Sequence, residues 1–153
     1  MRVALLLLLV ACNSGSGGGG TGGGGAGDPT VINGIMVPAV PDPALNAATV
    51  AGIDSNTNGV RDDVERFLAT EYGTDAALHA EATLHAKALQ RVLVEPTPAN
   101  VEAHLRQVDC LDDEVKLAKL SKLARATADT GERRTAYGLA FAGASLSGKG
   151  CTP

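Results

Sequence analysis

The sequence predicts an all-α fold: a small bundle of about five helices, preceded by an oxygen-rich loop and carried on a disordered, Gly-rich N-terminal tether. Three observations support this. Apolar residues recur at helical spacing from Val60 onward. Gly and Pro punctuate that pattern at short intervals. Beyond residue 50 no segment of useful length alternates with the period of a strand. The chain has 153 residues, of which the last 125 or so suffice for one domain. With 3% aromatic residues and no Trp, the core must rest on Leu, Val, Ile and Ala, with Phe67, Tyr72, Tyr137 and Phe141 as its large pieces.

Residues 3–10 form an unbroken apolar run after Arg2. The run is too short to span a bilayer, which takes about 20 residues, and fits the apolar region of a signal peptide over residues 1–11. It closes on Leu9-Val10-Ala11-Cys12, which resembles the lipobox of bacterial lipoproteins. The resemblance implies cleavage before Cys12, lipidation of its thiol and a membrane anchor. By resemblance to enteric lipoproteins, Asn13 at the next position implies the outer membrane, facing the periplasm or the exterior. Residues 12–28 supply the tether. Gly loses more freedom on ordering than any other residue, and sixteen such steps span roughly 20–24 Å. Residues 29–50 are read as an extended, Pro-containing arm. Asn33-Gly34 between apolar pairs is a hairpin signal with arms of about three residues, too short to stand alone. Pro38, Pro41 and Pro43 are expected to keep the chain extended after it.

Residues 51–153 are the loop plus the helical domain. In residues 54–65, Asp54, Asn56, Asn58, Gly59 and Glu65 satisfy the Asp-x-Asp/Asn-x-Asp/Asn-Gly-x5-Glu pattern. Ca2+ takes six to eight hard oxygen ligands. Asp54, Asn56 and Asn58 alternate so that they converge, Gly59 permits the sharp turn, Val60 offers its carbonyl, Asp62 acts directly or through water, and Glu65 closes the shell. A plain turn is also made of Asp, Asn and Gly, but it does not require this spacing. Position 8 of the loop, usually Ile or Val in paired loops, is Arg61, and no second loop follows. The loop resembles the single loops of thrombospondin type 3 repeats and dockerins more than a paired sensor. Residues 46–72 and 130–153 resemble a group of uncharacterised bacterial exported proteins with one such loop, which implies export and calcium and little more.

The first helix carries Val60, Val64, Phe67, Leu68 and Tyr72 on one face and stops at Gly73. Thr74 or Asp75 caps a second, which runs to Val94 with Leu78, Ala82, Leu89, Val92 and Leu93 inward. Pro98 opens a third, with Val101, Leu105 and Val108 as its apolar face. Asp112 or Asp113 starts a fourth with Leu117, Leu120 and Leu123. Asp129 and Glu132 form a capping-box-like start for a fifth, lined by Tyr137, Ala140, Phe141 and Ala144 and ended by Gly148.

Cys110 and Cys151 are expected to pair in an oxidising compartment, the alternative being two free thiols. The bridge would close about 40 residues and contribute ~3–4 kcal/mol. A net charge of −4 without a basic patch excludes nucleic acid as an expected partner. The three histidines, His79, His85 and His104, match no metal or triad pattern, and His85 with Glu81 reads as a surface pair. No enzyme is therefore expected. The leading expectation is a monomeric, Ca2+-binding envelope lipoprotein with a structural or protein-contacting role. The competing one is an envelope hydrolase or other enzyme with calcium as a structural ion.

Overall fold

The computed structural model describes residues 27–109 and 114–144. Along the chain come β1 (Thr30–Ile32), β2 (Ile35–Val37), α1 (Pro43–Ala47), α2 (Asp62–Tyr72), α3 (Ala76–Val94), α4 (Pro98–Asp109), α5 (Glu114–Thr127) and α6 (Gly131–Ala140). The architecture is mostly helical but not all-α, because the arm folds into an antiparallel two-stranded hairpin. The signal peptide, Cys12, nearly all of the tether, Cys110, Asp112, Asp113, Gly148 and Cys151 lie outside the described residues.

The hairpin turns through Asn33 (φ 48°) and Gly34 (φ 82°), the left-handed pair that an Asn-Gly turn favours. Register pairs Thr30 with Val37, Val31 with Met36 and Ile32 with Ile35. Val31 and Met36 therefore share the exposed face, while Val37 on the other face is buried. Six residues could not hold this alone; the hairpin packs on α2. The Asn33 amide donates to Ala69 O (3.0 Å) and Thr70 O (3.3 Å), two carbonyls in the last turn of α2. Gly73 follows that helix as predicted, but its φ is −63°, so no left-handed cap forms. Its small size matters instead: a Cβ there would fall 2.2 Å from Ala69 O and 2.9 Å from Asn33 Cβ.

The arm is not extended throughout. Asp42 accepts the Leu45 N–H at 2.9 Å and Pro43 occupies the first turn, so residues 43–47 form α1. Proline fits the first turn of a helix as readily as an extended chain.

α3 is the central helix and packs against α2, α4, α5 and α6. Asp75 caps it by accepting the Leu78 N–H, and all five residues predicted to face inward are buried. The core joins Val60, Val64, Leu68 and Tyr72 to Leu78, Ala82, Ala86 and Leu123, with Phe67 against its edge. On α4 the predicted apolar face is only partly buried and the buried residue is His104. That helix meets the domain chiefly through α3, where the His104 ring stands edge-on to His85 (6.3 Å between centroids) and packs on Phe141 (5.5 Å). α6 starts one residue later than predicted: Thr130, not Asp129, is the cap and accepts the Arg133 N–H at 3.1 Å.

Candidate metal centre

The loop lies between α1 and α2 and is pinned at both ends. Before it, the Asn46 side chain accepts the Ile53 N–H at 2.9 Å, and Ile53 O accepts the Asp62 N–H at 2.9 Å. After it, Val60 is buried in the core and the Glu65 N–H donates to Arg61 O, starting α2. Between those anchors the chain curls round Asp54. One Asp54 oxygen accepts the Asn58 N–H (3.1 Å) and the other the Gly59 N–H (2.8 Å). Asn56 Oδ1 accepts the Asn58 N–H (3.1 Å) and Asn58 Oδ1 accepts the Val60 N–H (2.8 Å). Thr57 (φ 55°) and Gly59 (φ 88°) take left-handed conformations to close the curl.

Glu65 projects from the first turn of α2 into this curl. Its Oε2 accepts the Asn56 amide at 3.0 Å, and its Oε1 accepts the Asn58 amide. Side chains from the third and fifth loop positions therefore both reach the carboxylate of the twelfth. Asp62 is buried and accepts the Ser55 N–H at 2.9 Å. The Glu65 carboxyl is held above its ordinary value first by burial, against the pull of the Asn58 and Asn56 amides, and then by the negative charges of Asp62 and Asp54. Among the described residues no three His, Cys, Asp or Glu side chains gather closely enough to hold a metal by themselves. The donor set of this loop relies also on two amide oxygens and the Val60 carbonyl. Both Asn amides present nitrogen to Glu65, so coordination would require them to present oxygen instead. Asp54, Asn56, Asn58, Asp62 and Glu65 supply hard oxygen donors of the kind Ca2+ takes, and three of them carry formal negative charge.

Sequence reasoning missed what lies behind the loop. Arg61, read only as an unusual eighth position, is fully buried. Its guanidinium grips Asp63 with two bonds (2.9 and 2.8 Å), donates to Thr127 O (2.8 Å) and Ala126 O (3.3 Å), and reaches Asp129 at 3.3 Å. Arg133 is buried beside it and donates to Asp129 (2.8 Å), Val50 O (3.1 Å), Thr49 O (3.0 Å) and Asn46 O. Burial alone would raise the Asp63 carboxyl. Its bonds to Arg61, that residue's charge, a bond with Asn46 and the charge of Arg133 hold it below the ordinary value instead. Two cations and two carboxylates neutralise one another, which makes the burial tolerable. Gly52 (φ 67°) runs against this node; a Cβ there would fall 2.4 Å from Arg61 Cδ, 2.6 Å from Arg133 Nη2 and 2.7 Å from Asn46 Oδ1. One sequence signal was available: Arg133 lies on the same helical stripe as Tyr137, Ala140 and Phe141.

The expected surface pair of Glu81 and His85 is corrected, because His85 is buried. It sits at the α3–α4 contact, where apolar surroundings lower its basicity despite the nearby Glu81 charge. His104 Nδ1 is buried without a partner, and burial together with the His85 charge lowers its pKa to about 4.

Comparison with protein families, with curated proteins and with solved structures gave no match.

Proposed function

We propose that this chain is a Ca2+-binding envelope lipoprotein in which the ion fixes the N-terminal side of a helical domain. The observation that carries the reading is the convergence of Asn56, Asn58 and Glu65, in a curl organised by Asp54 and charged also by Asp62. The ligands are Asp54, Asn56, Asn58, the Val60 carbonyl, Asp62 directly or through water, and Glu65. A cation there would offset the mutual repulsion of Asp54, Asp62 and Glu65 that burial magnifies. Because Val60 belongs to the core and Glu65 to α2, ordering the loop also fixes the start of that helix. Lipidation at Cys12 and the Gly-rich tether place the domain at a membrane surface with access to an envelope partner. The role is structural or protein-contacting rather than catalytic.

With two neutral Asn ligands, affinity falls in the range of extracellular modules, about 10⁻⁴–10⁻³ M. Thermal unfolding with about 10 mM Ca2+ and with chelator tests the reading. Mass action gives about 1–3 kcal/mol of stabilisation by calcium. Coincident transitions under the two conditions would overturn it.

A further inference from the structure

We infer that Arg61 is the positioning residue through which calcium occupancy of the loop is transmitted to the junction of α5 and α6. The inference rests on the calcium reading of the same loop and adds where the ion's effect is felt.

The backbone of Arg61 belongs to the loop. Its carbonyl accepts the Glu65 N–H at 2.9 Å, and it stands between Val60 and Asp62, two proposed ligand positions. Its side chain is buried against residues 65–68 positions further along the chain. The guanidinium meets the Ala126 and Thr127 carbonyls at the C-terminal end of α5, where the helix presents unsatisfied acceptors and the negative end of its dipole. It meets Asp129 in the two-helix connection, and Asp129 in turn holds Arg133 of α6. Arg133 closes the circuit by gripping the carbonyls of Asn46, Thr49 and Val50, just before the loop. The segment before the loop and the loop's own eighth residue are therefore tied to one carboxylate at the α5–α6 junction.

This arrangement gives Arg at the eighth loop position a role. In paired loops that position meets a second loop; here the guanidinium takes carbonyl and carboxylate partners from the chain's own C-terminal helices. Lys could keep the charge but not the fork, since it offers a point charge where Arg61 makes bonds from three nitrogens to four residues. A junction that opens must release Arg61 and so loosen the loop's eighth residue between two ligand positions. An ion that holds the loop consequently opposes opening of the junction.

Hydrogen exchange on the full chain, read by mass spectrometry over residues 121–134 and paired with calorimetry on the same samples, tests this. At Ca2+ about ten times its dissociation constant, exchange at the junction is expected to slow about tenfold relative to chelator. Arg61→Lys is expected to retain calcium binding by calorimetry while losing that calcium dependence. If Arg61→Lys fails to fold, Asp129→Asn, which removes the shared carboxylate charge, is expected to show the same loss. Wild-type protein that binds calcium without a change at residues 121–134 would overturn the inference and leave the calcium reading standing. A folded Arg61→Lys, or the substitute Asp129→Asn, that responds as wild type does would overturn the route through Arg61. Absence of calcium binding by wild type would overturn both.

Discussion

Replacing Gly52 by alanine is expected to be far more costly than the same change at Gly34, although both residues have positive φ. A left-handed backbone with a Cβ costs roughly 1–2 kcal/mol at either site. At Gly34 nothing else lies within 4 Å of the new methyl group, so that is the whole cost. At Gly52 the methyl would approach three atoms to 2.4–2.7 Å, none of which can withdraw freely. Arg61 Cδ belongs to a fully buried side chain held at Asp63, Asp129, Ala126 and Thr127. Arg133 Nη2 donates to Asn46 O and Thr49 O, and Asn46 Oδ1 accepts the Ile53 N–H. Relieving the overlap breaks at least one hydrogen bond to a charged group, about 1.5–3 kcal/mol. The expected loss for Gly52→Ala is therefore about 3–5 kcal/mol, a large part of the ~5–15 kcal/mol that holds a domain of this size. Urea denaturation followed by circular dichroism measures both variants. Equal losses at the two glycines would show that the node does not crowd Gly52 and would refute the reasoning.

Acid should weaken the protein across the histidine range. His85 and His104 are buried with lowered basicity, so at these two groups the unfolded chain binds more protons than the folded one as pH falls below 6.5, while the raised Glu65 carboxyl works in the opposite direction. Stability falls as pH drops from about 6.5 toward 4, by up to ~3 kcal/mol for His104 alone; Asp63, whose carboxyl is lowered, adds its loss only further into acid. Urea midpoints between pH 7 and pH 4.5 should show this slope, and His104→Phe should flatten it; an unchanged slope in that variant would rule out His104 as the source. Cys12→Ser is expected to move the protein from the detergent to the aqueous phase on detergent partitioning of cell envelopes, and a protein that partitions alike with and without the thiol is not anchored there.

The helical body was legible because its apolar spacing and its stop signals agree. α3 shows this best, with Asp75, the inward Leu78, Ala82, Leu89, Val92 and Leu93, and a stop before Pro96. Asn33-Gly34 specified its hairpin for the same reason: the turn demands left-handed backbone that few other pairs supply. Errors arose where a residue type has two uses. Pro43 suits an extended chain by its neighbours, yet it starts α1. Asp129 has the spacing of a cap, yet it serves two arginines. The loop's candidate ligands could be proposed from spacing alone, because the pattern is local. The node behind it could not, because Arg61 and Arg133 are far apart in sequence, and only the fold brings Asp129 between them. Charged residues are ordinarily assigned to the surface, so a buried pair of arginines runs against the strongest rule available to a sequence reader.

Calorimetric titration of Ca2+ into the wild-type chain and into Glu65→Gln tests calcium binding by the loop most directly. Glu65 is the residue on which the Asn56 and Asn58 amides converge, and Gln removes its charge at nearly constant size. One site per chain is expected, with a dissociation constant of about 10⁻⁴–10⁻³ M for wild type and binding at least about tenfold weaker for the variant. No heat of binding up to about 10 mM Ca2+, well above that range, or equal affinities in the two proteins, would contradict it.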